Sequence, residues 1–333
     1  MDATYDSYLM PMRKRVTSKS PPKRRAAVEK LPPLAEGPVA PLQAWDIAVN
    51  ACSKQFKGAK RDALLEEARF AGVGCLLVSG SWTDAQMNCE LSRLHRVPCT
   101  LGVHPHKANT FLGAVPWDDR RQMDVWDHDG LRSTLKHCAR GKTVEGFLRQ
   151  DRGAGANVVA WGEMGLDFYR MLAPATEQLN CFVVQVSNAC RDPRRRPLYL
   201  HERDAHVDFL RVLDAARDVY GELPPCVVHC FTGTWGEAKA YLERGFYLGF
   251  TGFICMPKRG SDVRTWLHMV PLGRIMLETD CSYMKPDGMR GVSTPADVYE
   301  VADVVAGCHG VGTSEVLRVT RETTERVFQI TGA

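Results

Sequence analysis

Several features are missing from this 333-residue sequence, and their absence narrows the classes of protein to which it can belong. No apolar run approaches the roughly 18 residues of a transmembrane helix, and the N-terminus carries no apolar segment of the kind found in secretory signals. No internal repeat of fixed period is present. The composition, 44% hydrophobic and 25% charged, excludes a collagen-like, coiled-coil or wholly disordered chain. We therefore expect a globular protein with no membrane partner.

The twelve cysteines include no pair with C-x-x-C spacing, so the sequence contains neither a zinc ribbon nor a thioredoxin motif. Several cysteines lie within apolar runs, for example Cys75, Cys226 and Cys255. Buried free thiols are typical of proteins in reducing compartments. The sequence therefore predicts an intracellular protein of the cytoplasm or nucleus, with the mitochondrion as an alternative.

Basic and acidic side chains are balanced in number everywhere except at the N-terminus, where basic ones are in excess. Residues 1–44 are rich in Pro, Ser, Lys and Arg and hold eight basic and four acidic side chains, which leaves 35 of each for the remaining 289 residues. The net charge of +4 therefore belongs to a basic tail, whereas the body over 45–333 is neutral. We expect the tail to be flexible and disordered, because it buries too little apolar surface. We interpret it as a solvated extension, and the alternatives are a targeting signal or a nucleic-acid-binding arm.

Eight short apolar runs alternate with segments of helical period from residue 45 onward. They are nearly continuous in Val, Ile, Leu, Cys and Ala, which is typical of parallel strands buried on both faces. The runs are Trp45–Asn50, Gly74–Gly80, Cys99–His104, Val158–Glu163, Pro197–His201, Cys226–His229, Phe246–Thr251 and Ile275–Asp280. Eight strands with intervening helices predict a single-domain α/β protein, a (β/α)8 TIM barrel. The 51-residue connection over 107–157 is long for such a barrel and predicts a helix plus an insertion.

Five of the predicted strands end in a residue that can bind a metal or move a proton. These residues are His104, Glu163, His201, His229 and Asp280. In TIM barrels the active site lies at the C-terminal ends of the strands, so we expect the five side chains to converge. Imidazoles and carboxylates together suit Zn²⁺, Mn²⁺ or Mg²⁺, as one ion or as two ions bridged by a carboxylate. Such an ion would activate a water molecule, and Asp280 is placed to take its proton.

The local sequences around these residues occur in a characteristic order. They are Asp46-Ile47-Ala48-Val49-Asn50, Gly102-Val103-His104-Pro105-His106, Gly162-Glu163-Met164-Gly165-Leu166-Asp167, His201-Glu202-Arg203-Asp204-Ala205-His206, His229-Cys230-Phe231-Thr232-Gly233, Gly249-Phe250-Thr251-Gly252 and Leu277-Glu278-Thr279-Asp280. In this order and spacing the set resembles the TatD family of metal-dependent deoxyribonucleases, within the amidohydrolase-like barrels, over about residues 45–330. The resemblance implies a metal site and a nuclease activity.

The resemblance also implies a role for each matching residue. Glu163 matches the metal-bridging carboxylate, and His201 and His229 match the histidine ligands. Asp280 matches a further ligand that also accepts a proton. His104 matches the histidine beside the substrate phosphate. The expected metal ligands are thus Glu163, His201, His229 and Asp280, and the expected catalytic residues are Asp280, Glu163 and His104.

The first strand departs from the family pattern. Many members have an Asp-x-His-x-His pair of ligands there, whereas this chain has Asp46 and Asn50 at the ends of the motif and neither histidine. Loss of two neutral ligands should weaken or reshape one metal position and favour Mg²⁺ or Mn²⁺ over Zn²⁺, which stays possible. We expect Asp46, Asn50 and Glu278 to support the ligands from behind.

Substrate phosphates require cationic partners. Arg203, Lys258 and Arg259 follow functional strand ends and are expected to bind substrate together with His104. A neutral body does not provide the extended basic face needed to wrap a duplex. A local pocket that holds one strand end fits better, which favours exonuclease-like action on single-stranded or frayed ends of DNA.

The sequence thus predicts a divalent-metal-dependent DNase that hydrolyses phosphodiester bonds, with roles possible in DNA repair or DNA fragmentation. An alternative is a metal-dependent hydrolase of another bond, such as an aminoacyl-tRNA ester. A third interpretation is a catalytically degenerate DNA-binding protein, because the first-strand histidines are absent. The sequence specifies no oligomeric state.

Overall fold

A computed structural model describes residues 40–111, 128–138, 141–153 and 157–330. Most of the predicted tail, residues 1–39, lies outside the described residues, as do parts of the long connection. Eight parallel strands follow one another around a single sheet in chain order. They are β1 (Ala44–Val49), β2 (Val73–Leu77), β3 (Cys99–Leu101), β4 (Val158–Asp167), β5 (Leu198–Arg203), β6 (Cys226–Val228), β7 (Tyr247–Phe250) and β8 (Ile275–Leu277).

The sheet closes where the segment after β8 meets β1. Val49 and Cys281 form a parallel bridge, and the backbone N–H of Asn50 donates to the carbonyl of Cys281 at 3.1 Å. The predicted (β/α)8 TIM barrel is therefore confirmed. Leu42 and Gln43, within the predicted tail, already contact the barrel: Arg321 donates to the carbonyl of Leu42, and Gln43 donates to the carbonyl of Gly72.

Helices connect the strands on the outside of the barrel. They are α1 (Ala59–Phe70), α2 (Trp82–His95), α3 (His128–His137), α4 (Gly141–Gly153), α5 (Ala175–Cys190), α6 (His206–Tyr220), α7 (Trp235–Glu243), α8 (Ser261–Trp266), α9 (Val298–His309) and α10 (Thr313–Phe328). Among the described residues, no helix combines the length and the apolar character required to span a bilayer.

The strands are buried on both faces, as their continuous apolar runs predict. One face contributes Trp45, Leu76, Val159 and Tyr199 to a cluster inside the barrel, which Phe328 of α10 closes. The other face packs against the helices in a larger cluster. Burial on both sides explains why the strands lack the polar alternation of a half-exposed sheet.

The predicted ends of two strands are wrong in a way that matters for the site. Glu163 and His201 do not end their strands, because β4 continues to Asp167 and β5 to Arg203. The two strands remain paired over this extension, with Asp167 opposite Arg203. The extension adds a further layer of side chains at the C-terminal end of the barrel.

The long connection after β3 contains two helices, α3 and α4, rather than the single helix predicted. They pack against outer helices: Phe147 lies 5.4 Å from Trp82 of α2 between ring centroids, and the hydroxyl of Ser187 on α5 donates to the carbonyl of Leu135. None of the described residues of α3 and α4 lines the central cavity. Residues 112–127, 139–140 and 154–156 of the predicted insertion lie outside the described residues.

Gly165 occupies a point of close approach between β4 and β5. Its φ is 150°, and a Cβ at this position would overlap the carbonyl oxygen of His201. We expect Gly165→Ala to lower the free energy of unfolding by about 3 kcal/mol, because it adds both backbone strain and a clash with rigid backbone. Urea unfolding measures the change. Gly273→Ala is the control, since a Cβ there meets nothing within 4 Å; equal losses in the two variants would contradict the prediction.

Candidate metal centre

The five predicted site residues lie together at the C-terminal end of the barrel. His104 follows β3, Glu163 and His201 lie within β4 and β5, His229 follows β6, and Asp280 follows β8. All five line one cavity of about 600 Å³. Parallel strands thus bring together residues that are far apart in sequence, as expected for a barrel of this kind.

One carboxylate oxygen forms the centre of the group. Oε1 of Glu163 lies 3.1 Å from Nε2 of His104, 3.0 Å from Nδ1 of His201 and 2.7 Å from Nε2 of His229. Glu163 is buried, and burial alone would raise its pKa, but its electrostatic interactions and hydrogen bonds with His104, His229 and His201 bring that pKa well below its usual range. Glu163 is therefore ionised.

His201 and His229 have the orientation of metal ligands. Their inner nitrogens, Nδ1 of His201 and Nε2 of His229, face each other at 3.2 Å beside Glu163. Their outer nitrogens are buried without a hydrogen-bond partner among the described residues, yet each lies near a carboxylate: Asp167 at 3.6 Å and Glu278 at 3.7 Å. Metal-binding histidines usually direct the outer N–H to such a carboxylate and the inner lone pair to the ion. The donor set therefore fits a divalent cation.

The pKa shifts of His201 and His229 also favour a bound cation. Burial lowers the pKa of an imidazole, but Asp167 and Glu163 raise the pKa of His201 above its ordinary value, and Glu163 raises that of His229 well above it. Both shifts mean that the surrounding carboxylates stabilise positive charge at this point. A bound cation supplies that charge and leaves the imidazoles neutral, as ligation requires.

His104 differs from the other two histidines. Its Nδ1 accepts a hydrogen bond from the backbone N–H of His106 at 3.0 Å, and burial lowers its pKa to about 4. A neutral imidazole whose Nδ1 is an acceptor carries its proton on Nε2. Although His104, Glu163 and His201 offer ligand atoms within 4.8 Å of one another, the Nε2–H of His104 is thus directed at Oε1 of Glu163, 3.1 Å away.

Asp280 is held by the first strand. Nδ2 of Asn50 donates to Oδ1 of Asp280 at 2.8 Å. Burial, together with the negative charges of Glu163 and Glu278, raises the pKa of Asp280 to about 7, although His229 opposes the shift. A carboxylate with a raised pKa can accept a proton near neutral pH.

A comparison with known protein families shows to which family the chain belongs. The family model described as TatD related DNase matches residues 45–329. The chain belongs to the TatD-related DNase family. The family recognised from the motifs is confirmed.

Curated relatives and solved structures agree with this assignment. The 3′-5′ ssDNA/RNA exonuclease TatD of Cronobacter sakazakii is 37% identical over 245 residues, which cover 73% of this chain and 79% of that protein. The protein of the same name from Pantoea ananatis is 32% identical over 292 residues, covering 85% and 98%. A TatD homologue from Escherichia coli K12 shares the fold, with a TM-score of 0.68 at 23% identity over 87% of this chain and 99% of that one.

Glu278 lies behind His229 in this TatD-family barrel. It is fully buried, its Oε1 accepts from the backbone N–H of Cys230, and its Oε2 accepts from the hydroxyl of Tyr199 at 3.3 Å. These bonds fix the carboxylate next to the outer nitrogen of His229. The contacts agree with a role in orienting that histidine.

Asp46 connects β1 to the segment that carries Asp280. Its Oδ1 accepts from the backbone N–H groups of Ala48 at 3.0 Å and Thr279 at 2.9 Å, and its Oδ2 accepts from the Thr279 hydroxyl. Asp46 is fully buried and does not line the cavity. It fixes the backbone one residue before Asp280 and makes no direct contribution to the cavity wall.

The ionisation of Asp46 should make folding sensitive to pH. Burial raises its pKa to about 7 from 3.8, so the folded state binds a proton that the unfolded state has lost. In the chelator-treated protein, stability should therefore fall as pH rises from about 4 to about 7, by up to about 1.4 kcal/mol per unit. Asp46→Asn keeps an oxygen acceptor but cannot ionise, so its stability should fall less steeply than that of the wild type, and the remaining fall belongs to Asp280, whose pKa is also about 7. Urea unfolding at pH 5 and 7.5 measures the difference.

Asp129→Asn serves as the control for this experiment, because the Asp129 side chain is 91% exposed on α3. It should follow the wild type at both pH values. A free-energy difference between Asp46→Asn and the wild type that stays constant with pH would contradict the prediction.

The predicted cationic residues differ in position. Arg203 and Arg259 line the cavity, whereas Lys258 is exposed on the same segment and is not among the described lining residues. Arg203 ends β5, and Arg259 belongs to the loop before α8. The geometry therefore supports the two arginines more directly than it supports Lys258.

Two residues of the quoted motifs that were not among the expected site residues, His106 and Asp167, also line the cavity. Oδ2 of Asp167 lies 2.6 Å from Nε2 of His106, and the same oxygen lies 3.6 Å from His201. The two-residue period of a strand predicts the position of Asp167, because Glu163, Gly165 and Asp167 are spaced by two and lie on the same side of β4. The signal was missed because the predicted strand ended at Glu163.

Proposed function

We propose that this TatD-family chain is a divalent-metal-dependent nuclease that hydrolyses phosphodiester bonds in DNA. The observation that carries the proposal is the group formed by Glu163, His201 and His229, whose inner atoms face one point in an open cavity. Each histidine has a carboxylate on its outer side, which is the usual support of a metal ligand. The DNase family and the named exonuclease relatives supply the substrate class.

The metal would be held by Glu163, His201, His229 and Asp280. A divalent cation in such a site lowers the pKa of a water molecule and withdraws charge from a phosphoryl oxygen. We propose Mg²⁺ or Mn²⁺ in preference to Zn²⁺, as one ion or two. The support is that Asp46 and Asn50, at the histidine-poor first strand, direct their side chains to Thr279 and Asp280 and add no imidazole.

The chain's own residues would perform the proton and charge steps. Asp280 accepts the proton of the water that attacks phosphorus, since its raised pKa matches that task. The Nε2–H of His104, which faces Oε1 of Glu163 at 3.1 Å, would exchange this hydrogen bond for one to a phosphoryl oxygen as negative charge develops there. Arg203 and Arg259 hold phosphates along the cavity.

We further propose exonuclease action from a 3′ end, with single strands favoured. The support is the printed name of the relatives at 37% and 32% identity, together with the neutral body, which provides no excess of basic groups for wrapping a duplex. Work in a reducing compartment is supported by twelve free cysteines, seven of them buried. Repair of DNA and DNA fragmentation both use this chemistry.

The test follows nucleotide release from a strand labelled at its 5′ or 3′ end, with Mg²⁺, Mn²⁺ or Zn²⁺ and with a chelator. Single-stranded DNA, duplex DNA, RNA and an aminoacyl-tRNA ester are compared side by side. Metal-dependent release of mononucleotides from the 3′ end of DNA supports the proposal. Turnover of the ester alone, or binding of DNA without cleavage at any metal concentration, would contradict it.

Deletion of residues 1–44 tests the separate role of the basic tail. Because these residues hold the whole excess of positive charge and none of the cavity residues, kcat should change by less than about 2-fold. Affinity for DNA at low salt, or localisation, should change instead. Ending the deletion at residue 39 provides the control that keeps the contacts of Leu42 and Gln43 with the barrel. A large loss of kcat in that shorter deletion would contradict the prediction.

A further inference from the structure

An exposed aromatic residue lies at the edge of the cavity. Tyr169 lies in the turn that follows β4, two residues after the strand ends, lines the cavity and is 62% exposed. The guanidinium carbon of Arg203 lies 3.9 Å from the centre of its ring. An aromatic ring at the edge of a cavity offers an apolar face on which a planar ligand group can stack.

The pair is fixed by the extension of β4 and β5. Arg203 lies opposite Asp167, and its carbonyl accepts from the backbone N–H of Phe168 at 2.9 Å. Tyr169 therefore follows a paired strand rather than a free loop. Among the described residues, the guanidinium of Arg203 contacts the Tyr169 ring and forms no ion pair, so its N–H groups can bind an incoming anion.

The two side chains together match one nucleotide. The guanidinium lies over one face of the Tyr169 ring, so a ligand would reach the ring by its opposite face. A nucleobase can stack on that face, and the N–H groups of Arg203 can hold a neighbouring phosphate. The same type of pair recurs in the cavity lining, where Arg259 lies 5.3 Å from the ring centre of Phe253.

We propose that Tyr169, supported by Arg203, is the surface on which a nucleobase near the scissile phosphate stacks, and that this contact selects single strands. A base paired within a duplex has both faces covered by its neighbours and cannot lie on the ring. This inference rests on the proposed nuclease function and adds how the site chooses its substrate.

The test uses Tyr169→Ala and Tyr169→Phe in the full chain. The probe is a single-stranded oligonucleotide with 2-aminopurine at one of its last three 3′ positions, bound in the presence of EDTA so that it is not cleaved. Stacking quenches 2-aminopurine fluorescence. We expect Tyr169→Ala to lose the quenching and to raise Kd about 10-fold, and Tyr169→Phe to keep both. With metal, the loss should appear in KM, with kcat within about 2-fold of the wild type.

A strand with an abasic residue at the responding position separates stacking from structural effects. On that strand, Tyr169→Ala and the wild type should bind equally. Phe70→Ala is the matched control, because Phe70 is also an exposed aromatic beside an arginine, at the end of α1.

Three results would overturn the inference: unchanged binding by Tyr169→Ala, equal loss in Tyr169→Phe, or an undiminished deficit on the abasic strand. Failure of the wild type to cleave any nucleic acid would instead contradict the proposed function, and the EDTA binding data would remain interpretable by themselves.

Discussion

Glu163→Gln should remove both the bound metal and the nuclease activity. The substitution keeps the size of the side chain but removes the charge of the one oxygen that faces His104, His201 and His229. We expect kcat/KM to fall at least about 1,000-fold, which corresponds to about 4 kcal/mol of transition-state stabilisation. Metal content by mass spectrometry and nucleotide release on the same samples measure the two losses.

The matched control for this variant is Glu243→Gln, the same chemical change on the exposed surface of α7. It should retain metal and activity. Thermal unfolding of all three proteins shows whether the barrel is intact. Full activity in Glu163→Gln, or full metal content with lost activity, would contradict the role of Glu163 as the central ligand.

Asp280→Asn should separate chemistry from metal binding. The amide keeps an oxygen that can accept from Asn50, but it cannot take a proton from water. We expect kcat to fall by about 100- to 10,000-fold, the usual contribution of a general base, while most of the metal remains bound. Loss of metal in proportion to the loss of activity would show that Asp280 acts only as a ligand.

The pH profile of the wild type gives a second measure of Asp280. A base must be ionised to act, so activity should rise with pH through the pKa of this group. That pKa is about 7 without metal, and a neighbouring cation favours the ionised form, so the midpoint in the loaded enzyme should lie below 7. Asp280→Asn should lose this rise, whereas Asp129→Asn should keep it.

The barrel was predictable because its strands are buried on both faces. Eight continuous apolar runs are visible in the sequence, and each became a strand within a few residues of its predicted position. The far end of β4 was not predictable in this way, because Gly165 and Asp167 resemble loop residues. Asp167 is tolerated in the strand because it lines the cavity, and Gly165 because it lies against the backbone of His201; both placements depend on the pairing of β4 with β5.

The candidate site was predictable as a set of residues but not as an arrangement. Strand ends indicate that His104, His201 and His229 converge. The sequence does not show which ring nitrogen faces inward, because this depends on single contacts, such as the backbone N–H of His106 at Nδ1 of His104. The link between Asp46 and Thr279 was equally hidden, since it joins residues 233 positions apart.

The contact that closes the barrel, between the end of β1 and the segment after β8, forms late in synthesis. Asn50 and Asp280, which hydrogen-bond across it, are separated by 230 positions, and β1 is further covered by Glu325 through Trp45. Another 230 residues must therefore be synthesised after Asn50 before Asp280 can reach it. A truncated or half-synthesised polypeptide has Glu163 and the histidines but no positioned proton acceptor. The candidate site is thus complete only when the segment after β8 has folded against β1.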